Sequence, residues 1–189
     1  MTVSASKSVE IDKLRHYLRG LSEGKAGFQL ECCVWCMTES GHKNGDLLRV
    51  LEGDQEEYYN VIWTRLINLD EVKSSVDQIE AAEYGAEVIA LLVGILKTGF
   101  TVINKSRLRG GGYDYWLGTD EQELFQHSVR LEVSGIFEEK GSNTISARRK
   151  SKVGQVTPSD GDIPALIIIV EFTKFIASLE WKNATQPFS

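Results

Sequence analysis

Ala165-Leu-Ile-Ile-Ile-Val170 is the stretch that most constrains the fold, because it is continuously apolar and rich in β-branched residues. A strand with no polar face must be covered on both sides, which puts it in the interior of a sheet that carries helices. The chain therefore reads as α/β with a mixed sheet. Its 189 residues suffice to bury a core without disulfides or structural metal. The hydrophobic share of 42% and charged share of 25% are those of an ordinary globular domain and select no function.

Upstream, residues 6–22 predict a helix with Val9, Leu14, Leu18 and Leu21 on its apolar stripe, stopped by Gly24 and Gly27. Phe28 to Met37 reads as a strand, the Asn44-Gly45 turn as a hairpin signal, and Leu47 to Leu51 as the returning partner. Tyr58 to Thr64 completes an antiparallel β-meander, whose Trp35, Tyr58, Tyr59 and Trp63 are expected to pack the sheet. Cys32, Cys33 and Cys36 lie inside the first of these strands. Zinc takes four ligands, and beyond Cys33, Cys36 and His42 the sequence offers no second Cys or His pair, so the thiols are expected to be small buried hydrophobes.

The longest helix is expected from Asp70 to Lys97, with Asp70 as N-cap and Gly99 as its stop. Glu80, Glu83 and Glu87 run along one of its edges. Three strands follow, Phe100 to Arg107, Tyr113 to Leu117 and Val129 to Phe137, the first two joined by a turn at Gly110 to Gly112. Alternation in the third puts Val129, Leu131 and Val133 on one face and Arg130, Glu132 and Ser134 on the other. Asp114 shares its face with Trp116, so a hairpin can bring its carboxylate to that of Glu132, and paired oxygen ligands suit a hard cation such as Mg²⁺. A short basic helix, Thr144 to Val153 behind Ser142-Asn143, precedes the final apolar strand.

From Asp70 onward the order is helix, three strands, helix, strand, with Glu83, Asp114 and Glu132 at successive positions. This resembles the restriction-endonuclease-like PD-(D/E)XK superfamily, over about 100 residues from Asp70 to Phe172. The resemblance implies an αβββαβ core whose acids hold Mg²⁺ or Mn²⁺ and activate water for phosphodiester hydrolysis in DNA or RNA. Asp114 and Glu132 would be the metal ligands and Glu83 the supporting helix acid. The superfamily pattern has lysine two residues after the second acid, and this chain has Ser134 there. Lys152 and Lys150, with Gln155, lie on the helix expected to flank the site, and some members carry the lysine on such a helix. Arg148, Arg149 and Arg107 would face nucleic acid. His127 lies between the acids in sequence, where a lone His is more often structural.

Under this reading the chain divides into an N-terminal extension at 1–66, a nuclease-like core at 67–182 and a tail at 183–189. Two functions stay open: a metal-dependent nuclease, or a catalytically degenerate relative that binds nucleic acid or protein. A net charge of −6 and a pI near 5.2 confine any phosphate contact to a local patch. The sequence is silent on oligomeric state, although a homo-oligomer stays open because cutting both strands of a duplex commonly takes two active sites. Met1 to Glu10 has no apolar leader core, and Val88 to Leu96 is about half of what a bilayer span needs. The expected location is cytoplasmic, with no membrane partner.

Overall fold

The computed structural model describes residues 7–106, 113–119, 129–156 and 163–183. Strand β1 is Lys7–Glu10, followed by a 3-10 turn at Ile11–Lys13 and a single helical turn, α1, at Leu14–Tyr17. The helix expected over residues 6–22 is thus only this short piece. Helix α2 spans Glu23–Glu39, where sequence reasoning expected a strand from Phe28. Ser22 caps it by accepting the Lys25 amide, so Gly24 and Gly27 lie inside the helix and do not stop anything. Every residue from Gln29 to Met37 except Glu31 is buried, and an apolar run covered all round carries no period by which a helix is told from a strand.

Strands β2 (Leu47–Glu52) and β3 (Gln55–Ile62) form an antiparallel hairpin, and β1 pairs parallel to β3. The three-stranded antiparallel meander is therefore corrected to a hairpin plus a parallel edge strand. The long helix is two: α3 at Leu69–Ser75, capped by Asn68, and α4 at Gln78–Thr98, capped by Asp77. Ser74 and Ser75 donate to the carbonyls of Asp70 and Glu71, and Val76 turns extended before Asp77 restarts the helix. Then come β4 (Val102–Lys105), β5 (Tyr115–Gly118), β6 (Val129–Ile136), α5 (Ile145–Val156), β7 (Ala165–Glu171) and β8 (Ile176–Lys182). The αβββαβ order is present as α4-β4-β5-β6-α5-β7, and β8 is an additional strand. Arg107, Gly110 to Gly112, Asp120 to Ser128 and residues 184–189 lie outside the described residues.

All eight strands form one mixed sheet in the order β1-β3-β2-β8-β7-β6-β5-β4. Strand β7 runs parallel to β6 and antiparallel to β8, and β8 joins β2 in parallel. The boundary expected at 66/67 therefore falls between elements of a single sheet. At its far edge Arg19 donates to Thr101 O at 3.0 Å and accepts from Ile103 N at 2.9 Å, beside β4. The chain thus runs from Glu10 on one edge strand to Arg19 on the other within about 30 Å, the most those residues could reach fully extended. A flat sheet of this size would measure roughly 34 Å across, and residues 11–17 are helical and shorter still. The sheet is accordingly curled, with its edges drawn toward each other around α2 and α4.

The main core lies in that concavity, where Leu131, Val133, Leu166 and Ile168 meet α2 and α4. A smaller cluster, Ile136, Val156, Ala165, Ile167 and Ile169, lies on the outer face beneath α5. Strand β7 is covered on both sides, as its sequence requires. Close approach fixes two glycines. A Cβ on Gly85 would stand 2.9 Å from Cys33 Cα, and one on Gly135 would stand 2.0 Å from the Ala82 carbonyl oxygen. The first lets α2 cross α4, and the second presses α4 onto β6 beside Glu83.

Candidate active site: a carboxylate pair between two helices

Tyr115 pairs with Leu131, so Asp114 and Glu132 come next in register where β5 begins and β6 continues. Asp114 N donates to Leu131 O at 2.9 Å, and its Oδ2 accepts the Val133 amide at 2.9 Å. The carboxylate thus takes a ladder amide and is fixed by backbone on both sides. Glu132 lies beside the Asp114 charge and is only 4% exposed. Burial first, and then the neighbouring Asp114 charge, push the Glu132 carboxyl up to about 7, against the opposing pull of Lys152. Lys152 Nζ lies 2.5 Å from Glu132 Oε1.

The site opens into a cavity of about 140 Å³ lined by Glu83, Glu87, Asp114, Ser134, Arg148 and Lys152. Glu83 and Glu87 come from α4 on the inner face of the sheet, Arg148 and Lys152 from α5 on the outer face. Side chains from both helices reach the same space because β5 pairs with only the first part of β6 and leaves the sheet open beyond it. Arg148 and Lys152 are one helical turn apart, and Arg148 Nη1 reaches Ser134 Oγ at 3.5 Å. The position where the superfamily pattern has lysine is therefore overhung by a guanidinium from α5.

Other sequence-predicted residues stand apart from this group. Lys150 and Gln155 are exposed on α5 and do not line the cavity. Arg149 donates to Ser178 Oγ on β8 and lies 3.5 Å from Glu180. Arg107 and His127 lie outside the described residues. The three cysteines are buried and free, and burial pushes the Cys32 thiol up to about 12. His42 instead binds the Phe172 carbonyl oxygen through Nε2 at 2.8 Å.

Sequence reasoning missed the cluster around Glu87. Its Oε2 accepts from the Tyr115 hydroxyl and from Gln29 Nε2, and Lys25 and Lys105 lie at 3.3 and 3.1 Å from its two oxygens. Burial, then the charge of Glu87, raise the Tyr115 phenol well above its ordinary value. The alternation that put Tyr115 opposite Asp114 was visible, but Lys25 and Gln29 lay in a segment read as a loop and strand.

The donor chemistry fits a hard divalent cation. Burial and the neighbouring Asp114 charge favour a proton on Glu132, a cation placed between the two carboxylates can take that proton's place, and Mg²⁺ commonly takes one or two carboxylates with water completing its shell. No family model, curated protein or solved structure matches this chain.

Proposed function

We propose that this protein is a divalent-metal-dependent phosphodiesterase acting on DNA or RNA. Asp114 and Glu132 hold Mg²⁺ or Mn²⁺, Glu83 supports them from α4, and Lys152 serves the scissile phosphate. The observation that carries the reading is the contact between Lys152 and the buried Glu132, next in register to Asp114, with Asp114 and Lys152 both lining one small cavity. Bound there, the ion would lower the pKa of a coordinated water and neutralise phosphate charge. Asp114 is oriented by the Val133 amide, so its second oxygen can be presented without side-chain reorganisation. Lys152 is the member of the expected lysine pair that reaches the site, and Arg148 adds a second cation over Ser134.

Binding without cleavage is the second reading, and the serine at position 134 is the observation that favours it. One experiment separates them. Asp114→Asn should weaken Mg²⁺ or Mn²⁺ binding by calorimetry at least ten-fold and abolish cleavage of single-stranded, duplex and branched oligonucleotides, because a full ligand charge is lost. Lys152→Ala should keep most of the ion affinity while lowering turnover by roughly 10²-fold or more, as loss of a charged transition-state donor does. A wild-type protein that binds no divalent ion at millimolar concentration overturns the catalytic reading.

A further inference from the structure

Glu87 forms one wall of the cavity, and the polar cluster behind it has no part in the chemistry above. Tyr115 and Gln29 already give this carboxylate two neutral donors, so one lysine would balance its charge. It has two, from elements far apart in sequence, Lys25 on α2 and Lys105 on β4. Both ammoniums also lie over the same Tyr115 ring, 5.2 and 4.6 Å from its centroid, and Lys25 Nζ donates to the Tyr115 hydroxyl at 2.9 Å. Two like charges gathered on one carboxylate and one ring repel each other. Burial above all holds the Lys25 ammonium below its ordinary value, with Lys105 adding to the effect and Glu87 opposing it, whereas against its burial Glu87 and Asp114 hold Lys105 above its own. Both side chains remain open to solvent, at 31% and 49% exposure, so an incoming anion can reach them. Lys105 is also within electrostatic range of Asp114, which sets the pair beside the proposed reaction centre.

We propose that Lys25 and Lys105 form an anion-binding pair that receives a backbone phosphate of nucleic acid next to the one being cut. The two ammoniums, each with three donors, suit a phosphodiester, whose non-bridging oxygens can take both. The identity of the anion rests on the phosphodiesterase reading. The pair itself rests on the geometry around Glu87.

The test is binding of a fluorescein-labelled oligonucleotide, single-stranded and duplex, followed by anisotropy in EDTA across a salt series, so that no metal or cleavage is involved. Removing both lysines in Lys25→Ala/Lys105→Ala should weaken binding about ten-fold at low salt. It should also reduce the slope of log K against log salt by roughly 0.7–0.9, the signature of one lost phosphate contact. Lys25→Arg/Lys105→Arg should retain the slope, and so should Lys43→Ala, which removes a lysine beyond the other end of α2, about 25 Å away. Lys105→Gln leaves Glu87 paired with Lys25 and gives the same reading if the double variant does not fold. Unchanged affinity and slope in these variants, an equal loss in Lys43→Ala, or no binding by the wild type overturns the proposal. Parallel cleavage assays in Mg²⁺ keep the two claims apart. Lysine-dependent binding without any cleavage overturns the phosphodiesterase and leaves the anion pair, whereas cleavage with an unchanged KM in the double variant does the reverse.

Discussion

Glu132 carries a stability consequence of its own. A carboxyl whose folded pKa is raised favours the protonated form in the native state, so the folded chain holds a proton that the unfolded chain releases. Between the ordinary value of 4.5 and about 7, native stability therefore falls as pH rises through this group. With a side chain only 5% exposed, the loss should be on the order of a few kcal/mol, at about 1.4 kcal/mol per unit of displacement. Urea unfolding at about pH 5 and about pH 8 measures it against Glu132→Gln, in which the protonated shape is kept at both values. The variant should be the more stable of the two at the higher pH and should show the flatter profile. Identical pH profiles would remove the claim that Glu132 is buried beside a charged partner. The same proton competes with any cation, so divalent-ion affinity should climb through pH 7 in the wild type and level off above it.

At the scale of elements, the contact of α4 with β6 turns on Gly135. An added Cβ there would meet the Ala82 carbonyl oxygen at 2.0 Å, the Ala82 carbonyl carbon at 2.4 Å and the Glu83 amide nitrogen at 2.8 Å, all backbone. No rotamer change relieves such contacts, so α4 must lift from the sheet and carry Glu83 away from the cavity. Gly135→Ala should cost at least about 1–3 kcal/mol, seen as a lowered Tm, and should weaken divalent-ion binding with Asp114 and Glu132 intact. The elements that build this site were legible in sequence because each had a period or a cap. Strict alternation marked β6, continuous β-branching marked β7, and the Ser142-Asn143-Thr144 run preceded α5, where Thr144 Oγ1 accepts the Ala147 amide. Asp114, Glu132 and Lys152 followed from those elements. What escaped was decided by tertiary cover. Helix α2 is buried from Gln29 to Met37 except at Glu31, so that stretch shows no polar face to give a period, and with the helix unread its first turns, Lys25 and the rest of the Glu87 cluster were lost. Strand β8 escaped for a different reason: its turn is made at Phe175, a non-glycine residue with φ of 50°, and not at a Gly or Asn.

On the scale of the whole molecule, the curled sheet ties the two ends of the chain together. Strand β8 is paired on one side with β7 and on the other with β2, and Trp181 Nε1 donates to Glu52 Oε1 at 2.9 Å across that junction. Trp35 on α2 packs 6.1 Å from Phe137, just past β6. Lys97 at the end of α4 pairs with Glu52 and Glu57 of the hairpin. The first 62 residues thus supply one neighbour for β8 and the helix that covers α4. Each large buried side chain contributes about 1.5–3 kcal/mol, so exposing the faces of Leu91, Ile168, Phe172 and Leu179 would remove an amount comparable to the whole net stability of about 5–15 kcal/mol. A chain beginning at Ile67 should therefore fail to fold alone, and the intact protein should unfold as one unit. Tryptophan fluorescence reads Trp35 and Trp63 from one end and Trp116 and Trp181 from the other, while far-UV circular dichroism reads α2 and α4. The two denaturation curves should coincide in midpoint and slope, and single Trp→Phe variants that silence one end should leave the midpoint seen from the other unchanged within the destabilisation each variant causes. Two separated transitions, or a stably folded 67–189 fragment, would mean that the β2–β8 junction does not couple the halves.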